Sequence, residues 1–126
     1  MRNMHQPALI SVVDDDVSSR ESLPDLLRAF GFAALPFSSA EEFLASDALG
    51  DTQCLILDVS MPGMSGPELQ SELGRRGLRL PIVFITAHCD PGLRADLIAR
   101  GAVECLFKPF SEQDLRSALD RAIVTA

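Results

Sequence analysis

The feature that most constrains the fold of this 126-residue chain is an alternation of short apolar runs with amphipathic segments. Runs of five or six mostly apolar residues, rich in β-branched side chains, are typical of buried strands. We predict strands over residues 8–13, 32–37, 53–57, 81–85 and 103–107. Because proline cannot donate a hydrogen bond to a neighbouring strand, Pro36 predicts that the second strand lies at an edge of the sheet.

The segments between the strands have helical periodicity and helix-capping residues. The first helix, over residues 17–30, contains Pro24, which is expected to remove one hydrogen bond and bend the helix. Ser39 and Glu42 predict a capping box at the start of the second helix. The third helix is indicated by Leu69 and Leu73 on one face and is expected to end near Gly74 or Gly77. The fourth is expected to begin at Asp90 and Pro91 and to end at Gly101. The fifth is expected to begin at Ser111 and Asp114, with an apolar face formed by Leu115, Leu119, Ala122 and Ile123.

Five strand–helix units in succession predict an α/β fold, (βα)5, with a parallel sheet and helices on both faces. The length is that of one domain. We therefore expect a short N-terminal tail over residues 1–6 and a single domain over residues 7–126.

Composition excludes several functions. A net charge of −7 argues against direct nucleic-acid binding, since few basic residues are available to neutralise phosphates. No apolar run approaches the ~20 residues that span a bilayer, so neither a membrane span nor a membrane partner is expected. Three cysteines without metal-ligand spacing favour a reduced, cytoplasmic compartment. Cys54 and Cys105 are expected in the core, and Cys89 in a loop.

Polar side chains collect where the predicted strands end. In a parallel sheet the carboxyl ends share one edge, where binding sites form. The residues are Asp14, Asp15 and Asp16 after the first strand, Asp58 after the third, Thr86 after the fourth and Lys108 after the fifth. Crowded carboxylates require a positive partner, either a divalent cation or Lys108, the only lysine of the chain. An alternative for Asp14 or Asp16 is a cap on the first helix.

Four motifs in order resemble the receiver domain of bacterial two-component response regulators. They are VVDDD at residues 12–16, LDVSMPGMSG at 57–66, ITA at 85–87 and KPF at 108–110. Segments 22–32, 39–44 and 86–88 are most similar to the FixJ-like branch. The resemblance implies a flavodoxin-like receiver fold with strand order 2-1-3-4-5. It also implies a protein that is no enzyme beyond its own phosphorylation and dephosphorylation.

The resemblance also implies roles for individual residues. Asp58 would be the phosphoacceptor. Mg²⁺, with Mn²⁺ as an alternative, would be held by Asp14, Asp15, Asp58 and the Ser60 backbone carbonyl. Lys108 would pair with Asp58 in the unphosphorylated protein and with the phosphoryl group afterwards.

Further expectations concern switching and the lifetime of the phosphorylated state. The Thr86 hydroxyl would bind a phosphoryl oxygen, and Pro109 would follow a cis peptide bond. Ser60 and His88 occupy the two positions that tune the lifetime of the phosphorylated state, which is expected to be minutes to an hour or so and not days. Thr86 and Cys105 occupy the switch positions. Cys105 departs from the aromatic residue usual in the family, and Phe107 projects from the same side of the strand.

The predicted function is acceptance of a phosphoryl group from a sensor histidine kinase or phosphotransfer protein, which changes binding to an output domain or target protein. A phosphorylation-dependent homodimer is a further expected partner state. The alternative is a pseudo-receiver that binds partners without phosphate. A phosphatase of the haloacid dehalogenase type is disfavoured because Ser60 stands where its second aspartate is needed. A flavodoxin is disfavoured because the acidic cleft opposes an anionic cofactor.

Two organisations of the whole protein remain open from the sequence. Met1 favours a natural N terminus. The chain is then either a single-domain regulator or the N-terminal part of a transcriptional regulator.

Overall fold

A computed structural model describes residues 7–88 and 90–123. The predicted tail over residues 1–6 and the predicted loop position of Cys89 lie outside the described residues. The strands are β1 Leu9–Val13, β2 Ala33–Phe37, β3 Cys54–Asp58, β4 Ile82–Thr86 and β5 Glu104–Phe107. The helices are α1 Val17–Ala29, α2 Ala40–Leu44, α3 Gly66–Arg75, α4 Pro91–Ala99 and α5 Glu112–Ala122, with a 3₁₀ turn at Asp47–Gly50 after α2.

The five strands form one parallel sheet in the order β2-β1-β3-β4-β5. This confirms both the alternating βα architecture and the predicted strand order. The edge position predicted for the strand that contains Pro36 is also confirmed, because β2 pairs with β1 alone. The order brings β1 and β3 together at the centre of the sheet, with Val13 beside Leu57.

Helices cover both faces of the sheet. On one face, Leu27 of α1 and Leu115 of α5 pack with Ile10 and Ile56 of the sheet. On the other face, α2, α3 and α4 contribute the fully or nearly fully buried side chains Phe43, Leu69, Leu73 and Leu97. Both cysteines expected in the core, Cys54 and Cys105, are buried. In the described part of the chain, no helix is long and apolar enough to cross a membrane.

Capping residues explain where most helices begin. Ser65 and Glu68 form a complete capping box on α3, and Asp90 accepts from two backbone amides at the start of α4. The box predicted for α2 is only half formed, since Ser39 accepts from the Glu42 amide but the Glu42 carboxylate binds the amide and hydroxyl of Ser38. The Glu42 side chain instead reaches Ser38, the residue before the N-cap, where two donors are available.

The first helix runs without a break through Pro24. Its N-cap is Asp16, whose carboxylate accepts from the Ser18 amide. The helix-cap alternative that the sequence left open for Asp14 or Asp16 therefore applies to Asp16, and Asp14 serves a different purpose.

Candidate functional site

Three carboxylates meet at the carboxyl edge of the sheet. Asp14 and Asp15 follow β1, and Asp58 is the last residue of the neighbouring β3. One oxygen from each residue lies within 4.8 Å of the other two. Asp14 is completely buried, Asp58 is 8% exposed and Asp15 is exposed. The site is thus a buried carboxylate pair with a third carboxylate on its solvent side.

Asp14 is held in its charged form by its neighbours. Burial opposes this charge, but the Asp16 amide donates to Asp14 Oδ1 at 3.0 Å and Lys108 Nζ donates to Oδ2 at 3.0 Å. Together with a hydrogen bond from Asp58, these contacts keep the pKa of Asp14 below its ordinary value. Arg20 also anchors this residue, because its guanidinium donates to the Asp14 backbone carbonyl at 3.1 Å.

Asp58 is in the opposite electrostatic situation. Burial, the hydrogen bond to Asp14 and repulsion from the Asp14 charge raise the pKa of Asp58 to about 7, against the opposing effects of Lys108 and of a hydrogen bond from the Ser60 amide. Two carboxylates this close disfavour double ionisation, so below about pH 7 Asp58 is the carboxyl that carries the proton, with Asp14 as its acceptor.

Lys108 corrects one sequence-based expectation. Its ammonium group hydrogen-bonds to Asp14 and, at 3.3 Å, to the Ser19 hydroxyl, instead of pairing with Asp58. The physical reason is burial: Asp14 is completely buried, and an ionised carboxylate removed from water needs a directly bonded cation. Ser19, the third residue of α1, was not identified as a site residue from the sequence, where a serine on a helix has no distinguishing signal.

Thr86 closes the site on the side of β4. It is the last residue of that strand and only 2% exposed, and its hydroxyl accepts from the His88 amide at 3.1 Å. Its backbone carbonyl accepts from the Lys108 amide at 2.7 Å, which joins the ends of β4 and β5. The expected cis peptide bond between Lys108 and Pro109 is confirmed. The His88 side chain is exposed, and its tuning role stays a prediction.

The loop from Val59 to Ser65 follows Asp58 and is closed by tight backbone contacts. The Gly66 amide donates to the Val59 carbonyl at 3.0 Å. A side chain on Gly66 would place its Cβ 2.3 Å from the Asp58 carbonyl oxygen, so only glycine fits there. A second contact was missed by sequence reasoning: Glu41 of α2 accepts from the Met64 amide at 3.1 Å. These residues are 23 positions apart, and no local pattern joins them.

The switch position on β5 is occupied as the sequence indicated. Cys105 is 3% exposed and packs into the core beneath α4, and Phe107 packs against the same cluster. Burial raises the pKa of the Cys105 thiol, and the adjacent Glu104 charge raises it further. Cys105 is therefore a small core residue in its neutral form, and the switch role itself stays a prediction.

The donor set fits a hard divalent cation. Carboxylate oxygens are the ligands that Mg²⁺ prefers, and the exposed Asp15 leaves the solvent side open for the waters that Mg²⁺ retains. One lysine cannot neutralise three carboxylates, and repulsion from Asp14 adds to the effect of burial in raising the pKa of Asp58. The described residues contain this one cluster of three acidic groups with suitable spacing.

Comparison with known proteins agrees with this geometry. The family model described as "Response regulator receiver domain" matches residues 10–120. The chain belongs to this family. Nodulation protein W of Bradyrhizobium diazoefficiens is 44% identical to this receiver over 112 residues, 89% of the chain and 49% of the relative. The transcriptional regulatory protein FixJ of Azorhizobium caulinodans is 38% identical over 110 residues, 87% of the chain and 52% of the relative.

A solved structure supports the same assignment. The crystal structure of FixJ-N superposes on this receiver with a TM-score of 0.83 and 35% identity, covering 96% of the chain and 98% of FixJ-N. The similarity to FixJ-like proteins is thus confirmed. The receiver spans about half the length of the two relatives above.

Proposed function

We propose that this receiver accepts a phosphoryl group on Asp58 from a sensor histidine kinase or phosphotransfer protein, in a Mg²⁺-dependent reaction. The observation that carries the proposal is the cluster of Asp14, Asp15 and Asp58, each with one oxygen within 4.8 Å of the others, next to the single lysine of the chain. Family membership supports the same chemistry.

Each residue has a defined task in the proposed transfer. An Asp58 carboxylate oxygen attacks phosphorus, the bond from phosphorus to the donor nitrogen breaks, and an acyl phosphate forms. Because phosphoryl transfer depends on positioning and on neutralisation of charge, Lys108 turns from Asp14 towards the phosphoryl oxygens as they arrive. Bound Mg²⁺, held by Asp14, Asp15, Asp58 and the Ser60 carbonyl, would neutralise the carboxylates and the phosphoryl oxygens together.

Thr86 links the phosphoryl group to the rest of the receiver. Its hydroxyl is anchored by the His88 amide and lies at the end of the strand beside β5. An added charge of roughly −2 on Asp58 attracts the hydroxyl as a donor and moves the loop after β4. That movement changes binding to an output domain or target protein, with a phosphorylation-dependent homodimer as one form.

Beyond its own phosphorylation and dephosphorylation we assign no catalysis. We place the protein in the cytoplasm, following its family.

Intact-protein mass spectrometry tests the proposal. After incubation with acetyl phosphate and Mg²⁺, we expect the wild type to gain one phosphoryl group. Asp58→Asn and wild type in excess chelator are expected to gain none. Asp47→Asn, which removes an exposed carboxylate from the 3₁₀ turn, is the matched control and is expected to behave as wild type.

Two outcomes would contradict the proposal. A mass gain that persists in Asp58→Asn would assign phosphorylation to another residue. No gain in folded wild type over a range of Mg²⁺ and donor concentrations would favour the phosphate-independent binding module.

A further inference from the structure

The loop from Val59 to Ser65 is fastened to α2 by one side chain. Glu41 Oε2 accepts from the Met64 amide at 3.1 Å. The same oxygen lies against Gly63, where an added Cβ would be 2.7 Å away. Gly63 has a φ of +74°, a conformation that glycine adopts readily, and it lets the carboxylate approach the loop backbone closely.

This contact lies in the part of the loop with the fewest other restraints. The loop begins on β3, where the Val59 amide donates to the Ile85 carbonyl, and it ends in the capping box of α3. Between these anchors, the Met64 amide is the one backbone donor of residues 61–64 that has a hydrogen bond within the described chain. Glu41 also forms no ion pair among the described residues, so its carboxylate serves the loop alone.

The restrained loop carries a backbone group that contacts the proposed phosphorylation site. The Ser60 amide hydrogen-bonds to the Asp58 carboxyl, and the carbonyl of Ser60 is the expected backbone ligand of the cation. A metal site binds more tightly when its ligands are held in place before binding, because only the competent fraction of conformers contributes to affinity.

We propose that Glu41 is a positioning residue for the phosphorylation site: its hydrogen bond to Met64 holds the loop so that the Ser60 backbone faces Asp58. This rests on the proposed Mg²⁺-dependent phosphorylation of Asp58. The expected effect of losing the tether is on Mg²⁺ affinity, with little change in phosphorylation rate once Mg²⁺ is saturating.

A charge effect is the competing explanation, since any nearby carboxylate attracts a cation. Two substitutions separate the explanations. Glu41→Gln removes the charge but keeps an oxygen that accepts from the Met64 amide. Glu41→Ala removes both. Glu42→Ala is the matched control, because Glu42 is the adjacent exposed glutamate of the same helix and bonds to Ser38 instead of the loop.

The experiment measures the Mg²⁺ dissociation constant by calorimetry and, in Mg²⁺-free protein, hydrogen exchange at the Met64 amide. For Glu41→Ala we expect a dissociation constant about three- to tenfold higher, the effect of losing one typical solvent-exposed hydrogen bond, and faster exchange at Met64. Glu41→Gln is expected to stay closer to wild type than to Glu41→Ala in both measurements, and Glu42→Ala to leave Met64 exchange unchanged.

Three results would overturn the inference. Equal loss of Mg²⁺ affinity in Glu41→Gln, Glu41→Ala and Glu42→Ala would assign the effect to charge. Unchanged Met64 exchange in Glu41→Ala would show that the hydrogen bond does not restrain the loop. Wild type that binds no Mg²⁺ would overturn the proposed function itself, and with it this role, even if Met64 exchange confirms the hydrogen bond.

Discussion

At the residue scale, the site is defined by how one proton and one lysine are distributed over three carboxylates. Asp14 receives hydrogen bonds from the Asp16 amide and from Lys108, and its pKa is lowered. Asp58 is the carboxyl that takes up a proton, because its pKa is raised to about 7. Asp58 therefore gains and loses its proton near neutral pH, and any cation that enters competes with this proton for the carboxylate.

The raised pKa of Asp58 has a consequence for stability. An unfolded aspartate has a pKa of 3.8, so the folded protein holds the extra proton between about pH 4 and pH 7. The stabilisation that protonated Asp58 contributes to the folded state is fully present below the unfolded pKa and is lost as pH rises through the folded pKa. Above the folded pKa, the buried ionised carboxylate of Asp58 destabilises the folded wild type, and Asp58→Asn removes this cost. In chelator, we therefore expect Asp58→Asn to be more stable than wild type at pH 8 by on the order of 1–3 kcal/mol.

Urea unfolding at pH 4.5 and pH 8 measures this effect. The stability gain of Asp58→Asn over wild type is expected to grow between the two pH values. Asp47→Asn serves as the control for removal of an exposed carboxylate. An equal gain at both pH values would show that Asp58 does not hold its proton in the folded state.

At the element scale, the start of α3 and the end of β3 are packed backbone against backbone. An added Cβ on Gly66 would lie 2.3 Å from the Asp58 carbonyl oxygen and 3.0 Å from the Phe84 ring. The glycine therefore does more than start a helix, since it sets how closely α3 approaches Asp58. The capping box of Ser65 and Glu68 directs the chain into α3 at this point.

We predict that Gly66→Ala displaces Asp58 and lowers the free energy of unfolding by about 1–3 kcal/mol, the usual cost of overpacking. Phosphorylation of Asp58 by acetyl phosphate is expected to slow markedly, because the carboxylate leaves its position beside Asp14. Gly74→Ala is the control on the same helix, where an added Cβ has open space. It is expected to be neutral or to stabilise by up to about 1 kcal/mol. Equal behaviour of the two variants in stability and phosphorylation rate would refute the packing argument.

At the scale of the whole molecule, β5 connects the site to the surface formed by α4 and α5. Glu104 accepts hydrogen bonds from the Cys105 amide and from Arg121 of α5, and it pairs with Arg94 of α4 at 2.6 Å. Burial opposes its charge, but these donors keep the pKa of Glu104 below its ordinary value. One carboxylate thus joins α4, β5 and α5, four residues before Lys108 in the chain.

The order of strands and helices was predictable because each apolar run had to bury itself and each helix carried its own start signal. Asp58 and Thr86 were predictable as site residues because parallel strands end at one edge. The partners of Lys108, Glu41 and Glu104 were not. Each of these contacts joins elements distant in the chain, and each depends on side-chain conformation and local charge, which spacing does not encode. The 2-1-3-4-5 order came from resemblance, since alternation alone allows other orders.

A substitution at Cys105 tests whether β5 transmits a change at the Asp58 site to α4. Its side chain is buried beneath α4, where Leu97 packs into the same cluster. We predict that Cys105→Phe destabilises the receiver by about 1–3 kcal/mol through overpacking and alters α4. The phosphorylation rate is expected to stay within about twofold of wild type, because Asp58, Asp14 and Lys108 keep their contacts and the barrier changes little.

The measurements are the rate of mass gain with acetyl phosphate and the hydrogen exchange of α4 before and after phosphorylation. Cys105→Ala is the control, since it removes the thiol without adding volume at position 105. We expect Cys105→Phe to change the exchange of α4, and hence partner or dimer affinity, whereas Cys105→Ala retains the wild-type response. A large loss of phosphorylation rate in Cys105→Phe would show that β5 supports the chemistry directly, because the substituted side chain would then have disturbed Lys108 and not only the surface that partners contact.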